Sequence, residues 1–142
     1  MLDDYGGTEV VPVYPGEMKF LQGAEYLKCN RISSDGTNRW STTCCNSPIV
    51  NTPDGMPWAG VFHQTYTRTE SDYLEKLGKV KSRIYGKYAR EGAPFKISAK
   101  IGFGDMVAVM PFIVKGKMLK KHLNSPFFES DNATLIREPE VL

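Results

Sequence analysis

Tyr26-Leu27-Lys28-Cys29-Asn30-Arg31-Ile32-Ser33-Ser34-Asp35-Gly36-Thr37-Asn38-Arg39-Trp40-Ser41-Thr42-Thr43 is the stretch that decides the fold. Its first part partly alternates, placing Leu27, Cys29 and Ile32 on one face and Lys28 and Asn30 on the other. Ser33-Ser34-Asp35-Gly36 is a turn cluster ending in Asp-Gly, a strong hairpin signal. Asn38 to Thr43 then returns as a second strand. The flanking sequence is also strand-like. Thr8 to Tyr14 is β-branched and closes on Pro15-Gly16, which predicts a type II turn. Met18 to Leu21 is a short segment bounded by Gly16 and Gly23. Pro48 to Thr52 runs into the loop Pro53-Asp54-Gly55-Met56-Pro57, and Trp58 to Tyr66 reads as a further strand around Val61 and Phe62.

Helical signals gather later in the chain. Ser71 to Leu77 predicts a short helix capped by Ser71 or Asp72 and stopped by Gly78. Ser82 to Arg90 is compatible with strand or helix, and Gly92-Ala93-Pro94 breaks the chain. Met106, Val109, Met110, Ile113 and Val114 recur at helical spacing, with Asp105 as the expected N-cap. Pro111 is expected to kink this helix or begin a second one, and Gly116 to end the first piece. The reading is one domain over 1–142, β-rich over 1–68 and mixed with helix over 69–142.

The bulk properties suit this reading. The chain has 142 residues, 41% hydrophobic and 24% charged, ordinary values for a globular protein. The longest apolar run, Met106 to Val114, is far short of the roughly 20 residues a membrane span requires. No secretory leader is recognisable in MLDDYGGTEV, and three cysteines make no disulfide framework. The expectation is a cytoplasmic protein with reduced thiols and no membrane partner. The net charge of +2 is too mild to demand nucleic acid. It is unevenly spread: twelve Lys/Arg lie between Lys76 and Lys121, opposed only by Glu91 and Asp105. A solvated basic face is the plainer reading, and an anion-binding face for nucleic acid or an acidic partner is the sharper one. Arg83 to Arg90 interleaves tyrosines with cations; ordinary packing of Tyr85 or Tyr88 with a charged outer face is the plainer reading, and stacking of single-stranded bases the sharper one.

Few residues carry chemistry in an obvious pattern. There is no nucleophile elbow, no P-loop and no dinucleotide fingerprint. Cys44-Cys45 is the most distinctive feature. Adjacent cysteines in a strand point to opposite faces, whereas the usual zinc knuckle separates its thiolates by two residues. A zinc set from these residues requires Cys29, Cys44, Cys45 and His63 to converge; otherwise the cysteines are small apolar packing groups. His122 lies in a lysine-rich segment.

Beyond these patterns, most of the chain resembles a bacterial branch of the glutathione-dependent formaldehyde-activating enzyme and centromere protein V superfamily. The resemblance rests on Gly6-Gly7-Thr8, Pro15-Gly16-Glu17-Met18-Lys19-Phe20, Gly23-Ala24-Glu25-Tyr26-Leu27, Gly36 with Arg39-Trp40, Cys44-Cys45-Asn46-Ser47-Pro48-Ile49-Val50-Asn51-Thr52, Ser125-Pro126-Phe127-Phe128 and Pro139-Glu140-Val141-Leu142. It implies a mainly β (α+β) fold, with the packed antiparallel sheets of a β-tent and here a C-terminal helical segment. In the founding enzymes a C-x-x-C-G-T-P motif gives two structural zinc ligands. Cys45-Asn46-Ser47-Pro48 matches its second cysteine, Thr42 falls where the first should be, and Cys44 is displaced. The family's N-terminal C-x-C and C-x-C-x-x-C elements, which complete its zinc sites, have no counterpart here. The expectation is therefore a non-catalytic domain that binds a small thiol-type ligand or a partner and needs no cofactor. The alternatives are a zinc-dependent carbon–sulfur lyase acting on a glutathione adduct, and nucleic-acid or acidic-partner binding through residues 76–121. Without upstream strands, an exposed sheet edge is expected to pair two copies as a homodimer, and the chain is either a natural short form or a piece of a longer one. Arg39, Trp40 and Asn51 complete the candidate residues, Arg39 paired with an acid, Trp40 as core and Asn51 at a turn.

Overall fold

The computed structural model describes residues 2–67 and 73–142. The expected hairpin is present: β2 (Leu27–Arg31) pairs antiparallel with β3 (Asn38–Thr42). Three further strands, β1 (Val10–Val13), β4 (Pro48–Thr52) and β5 (Ala59–Phe62), and the short β6 (Glu140–Val141) complete one six-stranded sheet in the order β1-β5-β4-β3-β2-β6. All pairings are antiparallel except β2 with β6, which is parallel. The fold is mainly β with a C-terminal helix, an α+β architecture.

Alternation puts Leu27 and Cys29 of β2, Asn38 and Trp40 of β3, Val50 and Thr52 of β4, and Ala59 and Val61 of β5 on one buried side. Phe127 seals that side, with its ring 5.0 Å from Trp40 and edge-on to Phe20 at 5.2 Å. Burying each such aromatic contributes about 2–3 kcal/mol. Ser125-Pro126-Phe127-Phe128 therefore acts as a lid that brings the late chain onto the early strands. Ile32 does not join this side; it is 64% exposed, because β2 ends at Arg31 and parity had already placed residue 32 opposite Cys29.

Three polar bonds are built into the core. The indole N–H of Trp40 donates to Thr52 Oγ1 at 2.8 Å. Asn38, 0% exposed, accepts from Arg31 Nε at 2.7 Å and donates to Asp54 at 2.6 Å. Arg31 also reaches Asp54 and the Ser34 carbonyl, so the hairpin turn and the β4–β5 loop are tied by one network.

Several local expectations give way to packing. Pro15–Glu17 forms a 3-10 turn rather than a type II turn, since Gly16 donates its N–H to the Lys121 carbonyl at 2.8 Å and leaves no room for a side chain there. Met18 to Leu21 is not a strand; Met18 and Phe20 cover the core instead. The strand expected to Tyr66 stops at Phe62, and α1 (Gln64–Thr67) follows. The short helix α2 (Tyr73–Leu77) ends before Gly78, which takes a positive φ, whereas its expected caps Ser71 and Asp72 lie outside the described residues. Ser82 to Arg90 is neither strand nor long helix, only a 3-10 turn at Gly86–Tyr88.

The long helix α3 (Phe103–Met118) runs unbroken through Pro111. Gly102, not Asp105, is its N-cap; Asp105 sits one turn in, accepting from the Gly102 N–H at 3.0 Å and from Ser82 at 2.6 Å. Gly116 does not end it. Instead its missing side chain lets the helix press against Tyr14 and Pro57, and Phe112 stacks on Tyr14 with centroids 4.1 Å apart. Pro111 thus lies inside the helix without dividing it. No described helix is long and apolar enough to cross a membrane.

Candidate functional site

The same alternation that buries Trp40 turns Arg39 to the opposite side of the sheet. The register sets Asn30 of β2 and Asn51 of β4 directly across from Arg39, one on each side. These three side chains form a polar row across the middle of the sheet. They line a cavity of about 300 Å³ with Ser41, Asn46, Pro48, Phe62 and Leu142. That volume lies at the low end for small-molecule sites.

Among the described residues, Arg39 is the only charged side chain in this lining. Its guanidinium donates to the Thr37 carbonyl at 3.1 Å and makes no ion pair among the described residues. Asn51 Oδ1 is buried without a hydrogen-bond partner, a cost of about 1–3 kcal/mol when no donor reaches it. A half-buried guanidinium without an ion pair among the described residues is suited to an anionic oxygen ligand, although Asn30 Nδ2 on one side faces Glu140 Oε2 at 3.5 Å. Asn51 thus belongs to this row within β4, not to a turn.

A larger cavity, about 410 Å³, lies beside Arg31, Asp54 and Leu135. Its arginine is fully occupied: Nε, one Nη and the other Nη bond Asn38, Ser34 and Asp54. It offers a ligand no unused cation.

The β3–β4 turn carries the paired thiols. Cys44 and Cys45 are exposed, with their sulfurs 3.5 Å apart. Cys45 Sγ lies 3.1 Å from both Ser47 Oγ and Thr42 Oγ1. Hydrogen bonds from Ser47 first, then Thr42, lower the Cys45 thiol to about 6. Asn46 takes φ 53°, a left-handed conformation that asparagine tolerates, and this lets the turn close. Asn46 also lines the cavity, and Lys28 Nζ donates to its side-chain Oδ1.

The four metal candidates are not brought together. Cys29 is in the core, where burial raises its pKa. His63 lies beyond β5, its ring beside the Glu9 carbonyl at 3.4 Å. Only Cys44 and Cys45 adjoin, and no group of three His, Cys, Asp or Glu that could hold a metal occurs among the described residues. The Cys29, Cys44, Cys45 and His63 set does not fit the four-ligand tetrahedron that structural zinc takes. His122 has a buried, unpartnered Nδ1.

In the basic segment, Tyr85 and Tyr88 are 60% and 83% exposed rather than packed, with Lys87 over the Tyr88 ring and Arg83 over Phe95. Asn30, Thr42 and Ser47 were missing from the expected site. Asn30 was within reach of the sequence, since strand parity puts it on the non-core side with Arg39. Thr42 and Ser47 depend on how the turn closes.

No curated protein and no solved structure matches the chain. A family model covering residues 1–136 does, and by that match the chain belongs to the family of unknown function DUF6151.

Proposed function

We propose that this chain is a non-catalytic binding domain for a small carboxylate, and a zinc-free relative of the formaldehyde-activating enzymes it resembles. The observation that carries the reading is the Arg39 guanidinium, without an ion pair among the described residues, between Asn30 and Asn51 in a cavity of about 300 Å³. An arginine receives a carboxylate through two parallel N–H···O bonds. The Asn51 amide N–H2 adds a donor, whereas Asn30 Nδ2 faces Glu140 Oε2 at 3.5 Å, and Phe62, Pro48 and Leu142 supply apolar walls. A single cation suits one carboxylate better than a polyphosphate. The zinc-free part of the reading is supported by the core position of Cys29 and the separation of His63 from the turn thiols.

Titration calorimetry with a panel of small carboxylates, with and without a thiol, tests this. Binding by the native protein and a loss of about tenfold or more in Arg39→Gln, equivalent to 1.4 kcal/mol or more, is expected. Equal binding by Arg39→Gln defeats the carboxylate reading. Near one zinc per chain in the purified protein defeats the zinc-free reading.

A further inference from the structure

We propose that Cys45 and Cys44 form a thiol–disulfide exchange site, in which Cys45 attacks a small organic disulfide and Cys44 resolves the product. The inference goes beyond carboxylate binding and does not depend on it.

Its basis is the geometry of the turn. In an extended strand, adjacent cysteines face opposite sides, but here both sulfurs are exposed and 3.5 Å apart. The turn is held in that shape by its own backbone. Thr42 donates to the Ser47 carbonyl at 3.0 Å, Asn46 to the Thr42 carbonyl at 3.0 Å, and Thr43 to the Tyr26 carbonyl at 2.7 Å. Two hydroxyls at 3.1 Å are placed to donate to a thiolate on Cys45. The two sulfurs therefore differ: among the described residues, Cys45 has the hydroxyls, and Cys44 has only Cys45. That asymmetry assigns the roles. The lowered Cys45 thiol is consistent with the assignment, since the thiolate is the attacking form.

The exchange balances as follows. The Cys45 thiolate attacks one sulfur of the small disulfide; that S–S bond breaks, and the second half leaves as a thiolate with the bonding pair. Cys45 now carries a mixed disulfide. Cys44 gives its proton to water and attacks Cys45 Sγ. The mixed S–S bond breaks, the remaining half leaves as a second thiolate, and a Cys44–Cys45 disulfide closes across the intervening peptide. Two protein thiols are oxidised, and one small disulfide is reduced to two thiols.

The test treats the full chain with excess 2-hydroxyethyl disulfide, quenches with acid and reads intact mass and peptide map. The native protein should lose two hydrogens at Cys44–Cys45 and retain no adduct. Cys44→Ser should hold a stable adduct on Cys45. Cys45→Ser should react slower by about tenfold or more, since the activated thiol is gone. Ser47→Ala keeps both sulfurs and should slow the first step, which guards against a cysteine variant that misfolds. Exchange is read by mass and carboxylate binding by calorimetry on the native protein, so this proposal and the carboxylate reading fail separately. A lasting adduct on the native protein, first attack by Cys44, or Cys45→Ser reacting at the native rate would overturn it.

Discussion

Arg39 on β3 stands directly across from Asn51 on β4, on the side of the sheet away from Trp40. The neighbouring position on the core side pairs Asn38 with Thr52. One pair of strands thus presents a polar row to a cavity and a satisfied polar network to the core, separated by a single residue step. The two arginines beside these rows should respond in opposite ways to substitution.

Arg39→Gln should reduce carboxylate binding with little change in thermal midpoint, because Arg39 has one backbone bond and no ion pair among the described residues. Arg31→Gln should do the reverse. It breaks bonds to Asn38, Ser34 and Asp54, and a fully buried Asn38 is left with one partner fewer. Bonds of this kind contribute about 1.5–3 kcal/mol, reduced here because Asp54 is largely exposed. Urea melts and calorimetry on both variants separate the two roles; matching losses of stability would show that Arg39 is structural.

Thr52→Val should destabilise by about 1–3 kcal/mol despite its matched shape. It removes the acceptor of the Trp40 indole N–H, and both residues are buried. The loss should appear as a lower urea midpoint with unchanged m-value, and Trp40 fluorescence follows the same transition. A midpoint within error of the native one would mean that the indole finds another acceptor.

Alkylation should separate the thiols by environment. Cys45 should react with iodoacetamide at a rate that falls as pH drops through about 6, because hydroxyl bonds hold its pKa there. Removing the Ser47 hydroxyl, the largest cause, should move that midpoint upward. Cys29 should stay unlabelled until the chain unfolds, since it is buried and its pKa is raised. Mass mapping of labelled peptides across pH checks both points. Labelling of Cys29 in the folded protein would contradict the core described above.

Much of the sheet was legible in the sequence because its signals are local. The alternation around Cys29 and the Asp35-Gly36 turn give β2 and β3 without tertiary information. The candidate site was half legible. Arg39, Trp40 and Asn51 stood out as residue types, but their sorting onto two faces needs the strand register. The turn thiols depend on Asn46 adopting positive φ, which only the closed turn dictates. The course of α3 was misread at Asp105, Pro111 and Gly116 for one physical reason. Propensity treats each as a start or stop, whereas Asp105 accepts from Ser82 and Gly102, Gly116 packs against Tyr14 and Pro57, and the helix runs on through Pro111.

His122 should make stability depend on mildly acidic pH. Burial first, and Lys117 second, lower its pKa, and its Nδ1 has no partner. The unfolded chain therefore binds a proton more readily than the folded one. The contribution is complete above the unfolded value, about 6.5, and is lost as pH falls through the lower folded value. Asp105 and Asp131 are also lowered, by hydrogen bonds from Ser82 and Thr134 first. Their contribution is lost only below about pH 4. Urea midpoints should fall between pH 7 and 5, and His122→Asn should flatten that interval while leaving the more acidic fall intact.

Gly116→Ala should destabilise the protein, against the usual rule. Alanine in a helix interior is normally better than glycine by about 1 kcal/mol. Here the added Cβ would lie 2.6 Å from the Tyr14 ring and 2.7 Å from Pro57. Neither neighbour yields easily: Tyr14 is stacked on Phe112 and donates its hydroxyl to the Phe112 carbonyl at 3.1 Å, and Pro57 is ring-locked and buried. Overpacking of this kind costs about 1–3 kcal/mol, enough to outweigh the propensity gain. The helix should shift from Tyr14 rather than unwind, so far-ultraviolet dichroism is expected to hold while the thermal midpoint drops. Gly104→Ala has open space around its Cβ and should raise stability by up to about 1 kcal/mol. A rise in both variants would mean that α3 does not dock on Tyr14 and Pro57 as described.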